Sequence, residues 1–265
     1  LNIALAGTGV GKSLFMCHLA SSYLLQGLNV LYITLEMAEE RIAERIDANL
    51  LDVTMEDLHD MPQQLYEGKI TKLREKTQGQ LVIKEYPTAS AHSGHFKSLM
   101  NELALKKSFR PDVIFIDYLN ICASSRFKGG NISSYFYVKA IAEELRGLAV
   151  EFNVPIFSAT QTTRTGYVST DIGLEDTSES FGLPATADFM FALISNEELE
   201  ALGQMKVKQL KNRYNDPSIN RAFIIGVDRA KMRLYDVQQK AGEIVDANQV
   251  DEKEDAYNKF SDFKL

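Results

Sequence analysis

Residues 6 to 13 combine glycines, a lysine and a hydroxyl in a spacing suited to binding phosphate. The segment reads Ala-Gly-Thr-Gly-Val-Gly-Lys-Ser and lies between an apolar run and a helix-like segment. Glycines let backbone N–H groups curl toward phosphate oxygens, and the start of the following helix presents its positive end to the same anion. Lys12 can reach the outer phosphates, and the Ser13 hydroxyl can ligate Mg²⁺. The predicted phosphate-binding loop comprises Gly7, Thr8, Gly9, Val10, Gly11, Lys12 and Ser13.

Two carboxylates at the ends of apolar runs could complete a hydrolytic site. Asp117 closes the run Val-Ile-Phe-Ile, and in phosphate-loop enzymes such a carboxylate holds Mg²⁺. Its neighbour is Tyr118 rather than Glu, so the catalytic base has to come from another strand. We predict that Glu36 orients the attacking water, because the carboxyl ends of parallel strands border the crevice where α/β sheets bind ligands. Its strand is expected beside the strand of the phosphate loop or one place over.

Three further polar residues have positions suited to sensing or stabilising a phosphate. Gln161 follows a predicted strand, and a neutral amide can report a γ-phosphate through one hydrogen bond. Lys211 and Arg213 stand two apart on a predicted strand, so their side chains share one face and can meet one anion. The sequence indicates no anion site for them within the same chain. An arginine supplied to a neighbouring subunit can accelerate phosphoryl transfer by about 10³ to 10⁵-fold, so we expect hydrolysis to depend on assembly.

The elements that must position these residues alternate between strands and helices, which is typical of a mainly parallel sheet flanked by helices. After residue 204, period-two segments around the turn-like Asn215-Asp216-Pro217-Ser218 predict a C-terminal antiparallel hairpin, with a third strand at 232–237. Strands are predicted near 1–6, 30–35, 80–86, 112–117, 154–159 and 188–194, and helices near 12–26, 38–50, 54–77 in pieces, 93–108 and 134–152.

The histidines, cysteines and apolar runs predict neither a metal centre nor a membrane segment. His92 and His95 have a metal-like spacing without further ligands, so we predict a helix-cap role for them. Cys17 and Cys122 are far apart and form no C-x-x-C, which favours buried thiols in a reducing compartment. Apolar runs stop short of the ~18 residues that a membrane span requires. We therefore expect a soluble, cytoplasmic protein without a membrane partner.

Charge is distributed unevenly along the 265 residues, whose formal net charge is −7. Residues 204–233 carry eight basic and two acidic side chains, whereas residues 243–265 carry seven acidic side chains and three lysines. We predict a single domain over residues 1–241 and a flexible acidic tail over 242–265, whose three aromatics either dock on a partner or stay solvated. Leu1 falls inside the first predicted strand, so a further N-terminal domain is expected to precede it.

The order of these motifs resembles the RecA-like motor domain of DnaB-type, ring-forming replicative helicases, most closely those of tailed phages. The likeness covers the chain up to about residue 237 and is carried by the phosphate loop and by Thr34-Leu35-Glu36-Met37, Ile116-Asp117-Tyr118-Leu119, Ser158-Ala159-Thr160-Gln161 and Lys211-Asn212-Arg213. It implies a RecA-like P-loop NTPase that uses ATP and Mg²⁺ to move 5′→3′ on single-stranded DNA at a replication fork. A hexameric ring and contacts with primase and a helicase loader are also implied.

The same resemblance assigns a role to each motif residue. Glu36 matches the catalytic glutamate, Asp117 the metal-side aspartate and Gln161 the sensor glutamine. Lys211 and Arg213 match the lysine and arginine finger that reach the γ-phosphate of the neighbouring subunit. The loop that contacts DNA matches residues 178–183, although many bacterial members have arginine where Ser178 stands. With the Gly-rich loop after Asp117, the DNA-binding candidates are Arg126, Lys128, Glu179, Ser180, Phe181 and Gly182.

Two other functions share part of this pattern. A RecA-type recombinase is an ATP-gated filament that also carries a glutamate after its second strand, but the Lys211-x-Arg213 hairpin and the Asp-Tyr pair favour the helicase. A small-molecule P-loop kinase would hydrolyse little ATP without its acceptor and would not respond to DNA. ATPase activity with and without single-stranded DNA, together with the mass of the assembly, discriminates among the three.

Overall fold

The computed structural model describes residues 1–127, 132–163, 172–177, 182–216 and 219–238. Within these ranges one nine-stranded sheet is flanked by α-helices. The strands are β1 (Asn2–Ala6), β2 (Val30–Thr34), β3 (Leu81–Glu85), β4 (Val113–Asp117), β5 (Ile156–Gln161), β6 (Phe189–Ile194), β7 (Gln204–Asn212), β8 (Ala222–Asp228) and β9 (Arg233–Asp236). The helices are α1 (Lys12–Leu25), α2 (Glu39–Leu51), α3 (Met55–His59), α4 (Gln63–Lys76), α5 (Ser93–Lys107), α6 (Ser134–Phe152), α7 (Gly182–Thr186) and α8 (Glu197–Ala201).

The strand order β3-β2-β4-β5-β1-β6-β7-β8-β9 confirms the predicted fold class. The first six strands in this order pair in parallel, and β7, β8 and β9 extend the sheet in antiparallel fashion. One expectation was wrong. The strand that precedes Glu36 is separated from the phosphate-loop strand by both β4 and β5, because a strand inserted between two others leaves no local mark in the sequence.

The central strands are apolar throughout because helices cover both faces of the sheet. Side chains alternate along β2, so Leu31 and Ile33 pack in the core cluster on one face, whereas Tyr32 joins the cluster on the other face. The first cluster includes Phe96 of α5 and residues of α6, and the second includes Cys17 of α1 and residues of α2. Both faces being buried explains why β2 and β4 read as continuous hydrophobic runs.

Side chains cap the starts of α3 and α5. Thr54 Oγ1 accepts a hydrogen bond of 2.9 Å from the Asp57 N–H at the start of α3. His92 Nδ1 accepts from the Gly94 N–H at 3.0 Å, and His95 Nδ1 accepts from the His92 N–H at 3.2 Å. The two histidines therefore cap α5, as predicted. No cluster of His, Cys, Asp and Glu able to hold a metal occurs in the part of the chain that the structure describes.

The two edges of the parallel sheet hold different functional residues. The parallel register aligns Ala6 with Gln161, and Thr34 with Asp117, so these strand ends lie at the carboxyl-terminal edge. Because β7 runs antiparallel to β6, its Lys211 pairs with Met190 near the start of β6. Lys211 and the following Arg213 consequently lie at the opposite, amino-terminal edge.

We predict that Leu31→Ala lowers the free energy of unfolding by about 3 kcal/mol, because Leu31 is fully buried in the centre of the sheet. Leu105→Ala is the matched control, since Leu105 on α5 is 85% exposed, and it should change stability by less than about 0.5 kcal/mol. Urea unfolding of both variants checks the difference. Equal midpoints for the two variants would contradict the assignment of β2 to the core.

Candidate functional site

The loop between β1 and α1 has the backbone of a phosphate cradle. Gly9 and Gly11 have φ angles of +80° and +125°, a region that glycine enters without strain. The Val10 N–H donates to the Gly7 carbonyl at 3.4 Å, and the Phe15 N–H donates to the Gly11 carbonyl at 2.9 Å as α1 begins. No described side chain caps this helix start. The first N–H groups of α1 therefore remain available to an anion.

Lys12 lies between the loop and the two carboxylates. Its Nζ donates to the Gly7 carbonyl at 3.2 Å. Burial lowers the pKa of Lys12, while the charges of Glu36 and Asp117 act in the opposite direction. Because both carboxylates influence this ammonium group, the structure brings together the loop lysine and the two carboxylates that the sequence had placed at the ends of two strands.

Asp117 is a buried carboxylate with one oxygen unused. Its Oδ2 accepts a hydrogen bond of 3.0 Å from the Tyr32 hydroxyl, and its Oδ1 has no partner among the described residues. Burial raises the pKa of Asp117, with the Ser13 and Tyr32 hydroxyls opposing the rise. An unsatisfied oxygen in a buried position is costly and commonly marks a ligand site. Here it lies beside Ser13, the residue predicted to share a metal with it.

Tyr32 is a site residue that the sequence analysis missed. It is fully buried in β2, and besides holding Asp117 its hydroxyl accepts from the Cys17 thiol at 4.0 Å. Burial raises the pKa of Cys17 to about 12. A tyrosine inside an otherwise aliphatic strand was the available signal, because a buried phenol needs a hydrogen-bond partner.

Glu36 is exposed at the carboxyl-terminal edge and is held by a tight turn after β2. The Thr34 hydroxyl accepts from the Met37 N–H at 3.1 Å and donates to the Met37 carbonyl at 2.8 Å. The Leu35 N–H donates to the Asp117 carbonyl at 2.9 Å. These contacts fix the turn against the end of β4, so Glu36 faces solvent next to the buried aspartate.

Gln161 and Tyr118 link the neighbouring strand ends. Gln161 aligns with Ala6, the last residue of β1, and its Nε2 donates to the Tyr118 hydroxyl at 3.3 Å. Tyr118 follows Asp117 through a cis peptide bond. The amide of Gln161 therefore lies beside the phosphate loop and is connected to the residue after the metal-side aspartate.

Arg229, in the turn between β8 and β9, also contacts the phosphate loop. Its Nη2 donates to the Val10 carbonyl at 3.4 Å and lies 3.7 Å from Glu200 Oε1. The turn is anchored by the Met55 N–H, which donates to the Ala230 carbonyl at 2.8 Å. Nothing in the sequence indicated this contact, because Arg229 and the loop lie near opposite ends of the chain.

Lys211 and Arg213 lie together, but away from their own phosphate loop. The Lys211 Nζ donates to the Pro184 carbonyl at 2.5 Å, and Arg213 Nη2 donates to the Ala185 carbonyl at 3.0 Å. Both side chains thus share one face, as predicted. The sequence did not indicate a carboxylate partner for this pair, but Arg213 Nε forms an ion pair of 2.9 Å with Asp188. Burial lowers the pKa of Lys211, and the neighbouring Arg213 adds to the effect.

The candidate DNA-binding residues are described only in part. Arg126 is half exposed and forms an ion pair with Glu143 of α6. Gly182 is buried, and a Cβ added there would lie 2.9 Å from the Lys139 side chain. Lys128 and residues 179–181 lie outside the described residues, as does the predicted tail.

Comparison with known proteins gives a consistent family. Residues 1–240 match the family described as "DnaB-like helicase C terminal domain". The "DnaB-like replicative helicase" of Enterobacteria phage T4 is 45% identical over 267 residues, covering 98% of this chain and 56% of that protein. A "Probable plasmid replicative DNA helicase" of Chlamydia trachomatis is 32% identical over 168 residues, covering 61% of this chain and 35% of that protein. The chain spans about half the length, or less, of these relatives.

Two solved structures share the fold. One, described as an ATPase domain, has a TM-score of 0.73 and 16% identity, and the match covers 89% of this chain and 84% of that one. "The Structure Of A DnaB-Like Replicative Helicase And Its Interactions With Primase" also has a TM-score of 0.73 and 16% identity, covering 90% of this chain and 57% of its own. Among the described residues, no helix combines the length and apolar character needed to cross a membrane.

We predict that Asp117→Asn raises the free energy of unfolding at pH 7 by roughly 1 kcal/mol, because it removes a buried charge. A raised pKa means that the wild-type protein loses stability as the pH rises through that pKa. The gain from asparagine should therefore shrink as the pH falls. Urea unfolding between pH 4 and 8 checks this, and a gain independent of pH would contradict the explanation.

Asp188→Asn is the control of opposite sign. Burial raises the pKa of Asp188, but the hydrogen bond and the charge of Arg146 act in the opposite direction, and the net pKa is lowered. Its carboxylate stabilises the fold at neutral pH, and that contribution is lost as the pH falls. The substitution should cost about 2 kcal/mol at pH 7, with a smaller cost in acid.

Proposed function

The chain belongs to the DnaB-like helicase C-terminal domain family, and we propose that it is the motor of a replicative DNA helicase. It hydrolyses ATP to move 5′→3′ along single-stranded DNA and to unwind the duplex at a replication fork. The observation that carries the hydrolytic part is Asp117, a buried carboxylate with an unpartnered oxygen beside Ser13, Lys12 and Glu36. Direction of movement and site of action are proposed from the family.

The residues present fit a nucleoside triphosphate with Mg²⁺. The Ser13 hydroxyl and the free Oδ1 of Asp117 supply the hard oxygen ligands that Mg²⁺ prefers, and this metal commonly completes its shell with phosphate oxygens and water. Bound there, Mg²⁺ would neutralise charge on the phosphates. Lys12 supplies a cation at the outer phosphates, and the open N-terminus of α1 supplies N–H donors. We propose ATP as the nucleotide.

The remaining residues of this edge have separate tasks in hydrolysis. Glu36 is exposed and accepts the hydrogen bond that orients an attacking water toward the γ-phosphate. Gln161 donates to the γ-phosphate when that group is present and returns to Tyr118 when it is absent. Its amide exchanges one neutral hydrogen bond for another, so the switch needs no burial of charge.

We predict that Glu36→Gln keeps nucleotide affinity within about twofold while lowering kcat by at least about 10²-fold, as expected for the loss of general-base catalysis. Lys12→Ala should instead weaken nucleotide binding itself. Glu40→Gln, at an exposed glutamate on α2, is the matched control and should behave as wild type. Steady-state hydrolysis and fluorescent-nucleotide titration provide the two readouts. Unimpaired turnover by the Glu36 variant would remove Glu36 from this role.

The wild-type protein in the same assay tests the helicase against its alternatives. Hydrolysis should be stimulated by single-stranded DNA, and the protein should unwind a forked duplex. A strand-exchange filament would respond to DNA without unwinding it. A small-molecule kinase would ignore DNA and hydrolyse little ATP until its acceptor is added.

The finger residues support a site shared between subunits. Lys211 and Arg213 lie at the amino-terminal edge of the sheet, whereas the phosphate loop lies at the carboxyl-terminal edge. They cannot serve the loop of their own chain without a large rearrangement. We therefore assign them to the γ-phosphate bound by a neighbouring copy, in a homo-oligomer that is a hexameric ring by the family resemblance.

Mixing two inactive variants tests the shared site. Arg213→Ala subunits keep an intact loop and Lys12→Ala subunits keep an intact finger, so a mixed assembly contains interfaces with both. We predict partial recovery of hydrolysis on mixing, measured against each variant alone. Recovery should be absent when Arg213→Ala subunits are mixed with subunits that carry both Arg213→Ala and Glu36→Gln. Co-assembled variants that never recover activity would point to a role within one chain.

DNA and protein partners follow from the ring arrangement. A ring brings loops from every subunit into one channel, so a chain of negative net charge can still hold single-stranded DNA. We propose residues 178–183 and the loop containing Arg126 and Lys128 for that channel. Primase and a helicase loader are the proposed protein partners, and host cytoplasm is the proposed location. The structural neighbour described with its primase interactions supports the first of these.

A further inference from the structure

Asp188, the residue directly before β6, pairs with Arg213 of the proposed finger. Its Oδ1 forms an ion pair with Arg213, whose Nε lies 2.9 Å away, and accepts a hydrogen bond of 3.3 Å from the Tyr214 hydroxyl. Arg146 Nε of α6 lies 3.1 Å from both carboxylate oxygens, and the Leu1 nitrogen donates to Oδ2 at 2.8 Å. Asp188 is only 8% exposed. Two arginines therefore share one buried carboxylate at the amino-terminal edge of the sheet.

Backbone carbonyls at the end of α7 bind Arg213 and Lys211. Arg213 Nη2 donates to the carbonyls of Ala185, Thr186 and Ala187 at 3.0, 3.3 and 3.2 Å. Lys211 Nζ donates to the Pro184 carbonyl. Carbonyls at a helix end lack intrahelical donors and carry partial negative charge, so they bind cations well. The contacts made through Nε and Nη2 set the plane of the guanidinium group.

We propose that Asp188 is a positioning residue for Arg213, which aims this guanidinium at the phosphate of the neighbouring subunit. The inference rests on the proposed function, in which Arg213 acts on a neighbour. Among the described residues Nη1 makes no such contact, so it is the nitrogen that we assign to the neighbour's phosphate. A free arginine side chain samples many rotamers before it meets a phosphate, whereas Arg213 starts each turnover from one resting rotamer.

Because of Arg146, Arg213 can shift toward a phosphate without leaving the Asp188 carboxylate unpaired. Arg146 contacts both oxygens of Asp188, so the carboxylate stays paired when Arg213 moves. An unpaired buried carboxylate would otherwise oppose the movement, because removing one partner of a buried ion pair is costly. Asp188 therefore fixes the resting position of Arg213, while Arg146 lowers the free-energy cost of moving Arg213 away from it.

The first test measures Asp188→Asn in the assembled full-length protein. A misplaced catalytic group commonly costs on the order of 10²-fold in rate, and we expect a fall in kcat of about this size. Nucleotide affinity should change less than about twofold, because Asp188 and the phosphate loop lie at opposite edges of the sheet. Asp47→Asn is the matched control: this partly buried carboxylate on α2 accepts from the Tyr66 hydroxyl at 2.7 Å rather than from the finger or the phosphate loop, and its loss should leave kcat unchanged.

Subunit mixing separates positioning from a general structural defect. If Asp188 acts on the finger, Asp188→Asn subunits should regain hydrolysis with Lys12→Ala subunits and fail to regain it with Arg213→Ala subunits. Asp188→Glu keeps the charge that pairs with Arg146 but displaces the carboxylate. It should therefore fold normally and lose kcat by about 10-fold. In mixtures it should also regain hydrolysis with Lys12→Ala subunits and not with Arg213→Ala subunits. Wild-type kcat in Asp188→Glu, or recovery of either Asp188 variant with Arg213→Ala, would overturn the proposal.

The same mixtures keep the two hypotheses apart. If the mixture of Lys12→Ala and Arg213→Ala fails to recover, the shared site itself is wrong. If that mixture recovers while the Asp188 variants regain hydrolysis with neither Lys12→Ala nor Arg213→Ala subunits, the shared site stands and only the positioning role falls.

Discussion

Parallel pairing of the first six strands is the constraint on which the rest of this structure depends. It places the ends of β1, β2, β4 and β5 at one edge, so the loop, Glu36, Asp117 and Gln161 meet although they are far apart in sequence. The antiparallel turn into β7 then returns Lys211 and Arg213 to the other edge. A single sheet thus presents the proposed nucleotide-binding edge and an arginine-bearing edge, an arrangement suited to head-to-tail assembly of identical chains.

Much of this arrangement could be predicted from the sequence because its signals are local. The alternation of apolar runs with helical patterns predicted the parallel strands and the long helices close to where the structure has them, and His92 and His95 marked the start of α5 by the chemistry of their side chains. The phosphate loop was evident from its glycines. Its positive φ angles at Gly9 and Gly11 are the reason that those residues are glycines.

The parts that sequence did not reveal depend on distance across the fold. The order of β2, β4, β5 and β1 comes from which hydrophobic faces pack together, so the separation of Glu36 from the loop strand was misjudged. Arg229 reaches Val10, and Asp188 receives Arg146 and Arg213, through contacts that no spacing rule describes.

The burial of Cys17 has a consequence for the chemical behaviour of the protein. Cys17 is fully buried and its pKa is raised to about 12, so almost no thiolate forms at neutral pH. Cys17 also lies in the second turn of the helix that starts at the phosphate loop. Alkylation of this thiol must wait until that part of the core opens, because the reactive form needs water and a lower pKa. The rate at which Cys17 is alkylated therefore reports how often the core beneath the proposed nucleotide site unfolds locally.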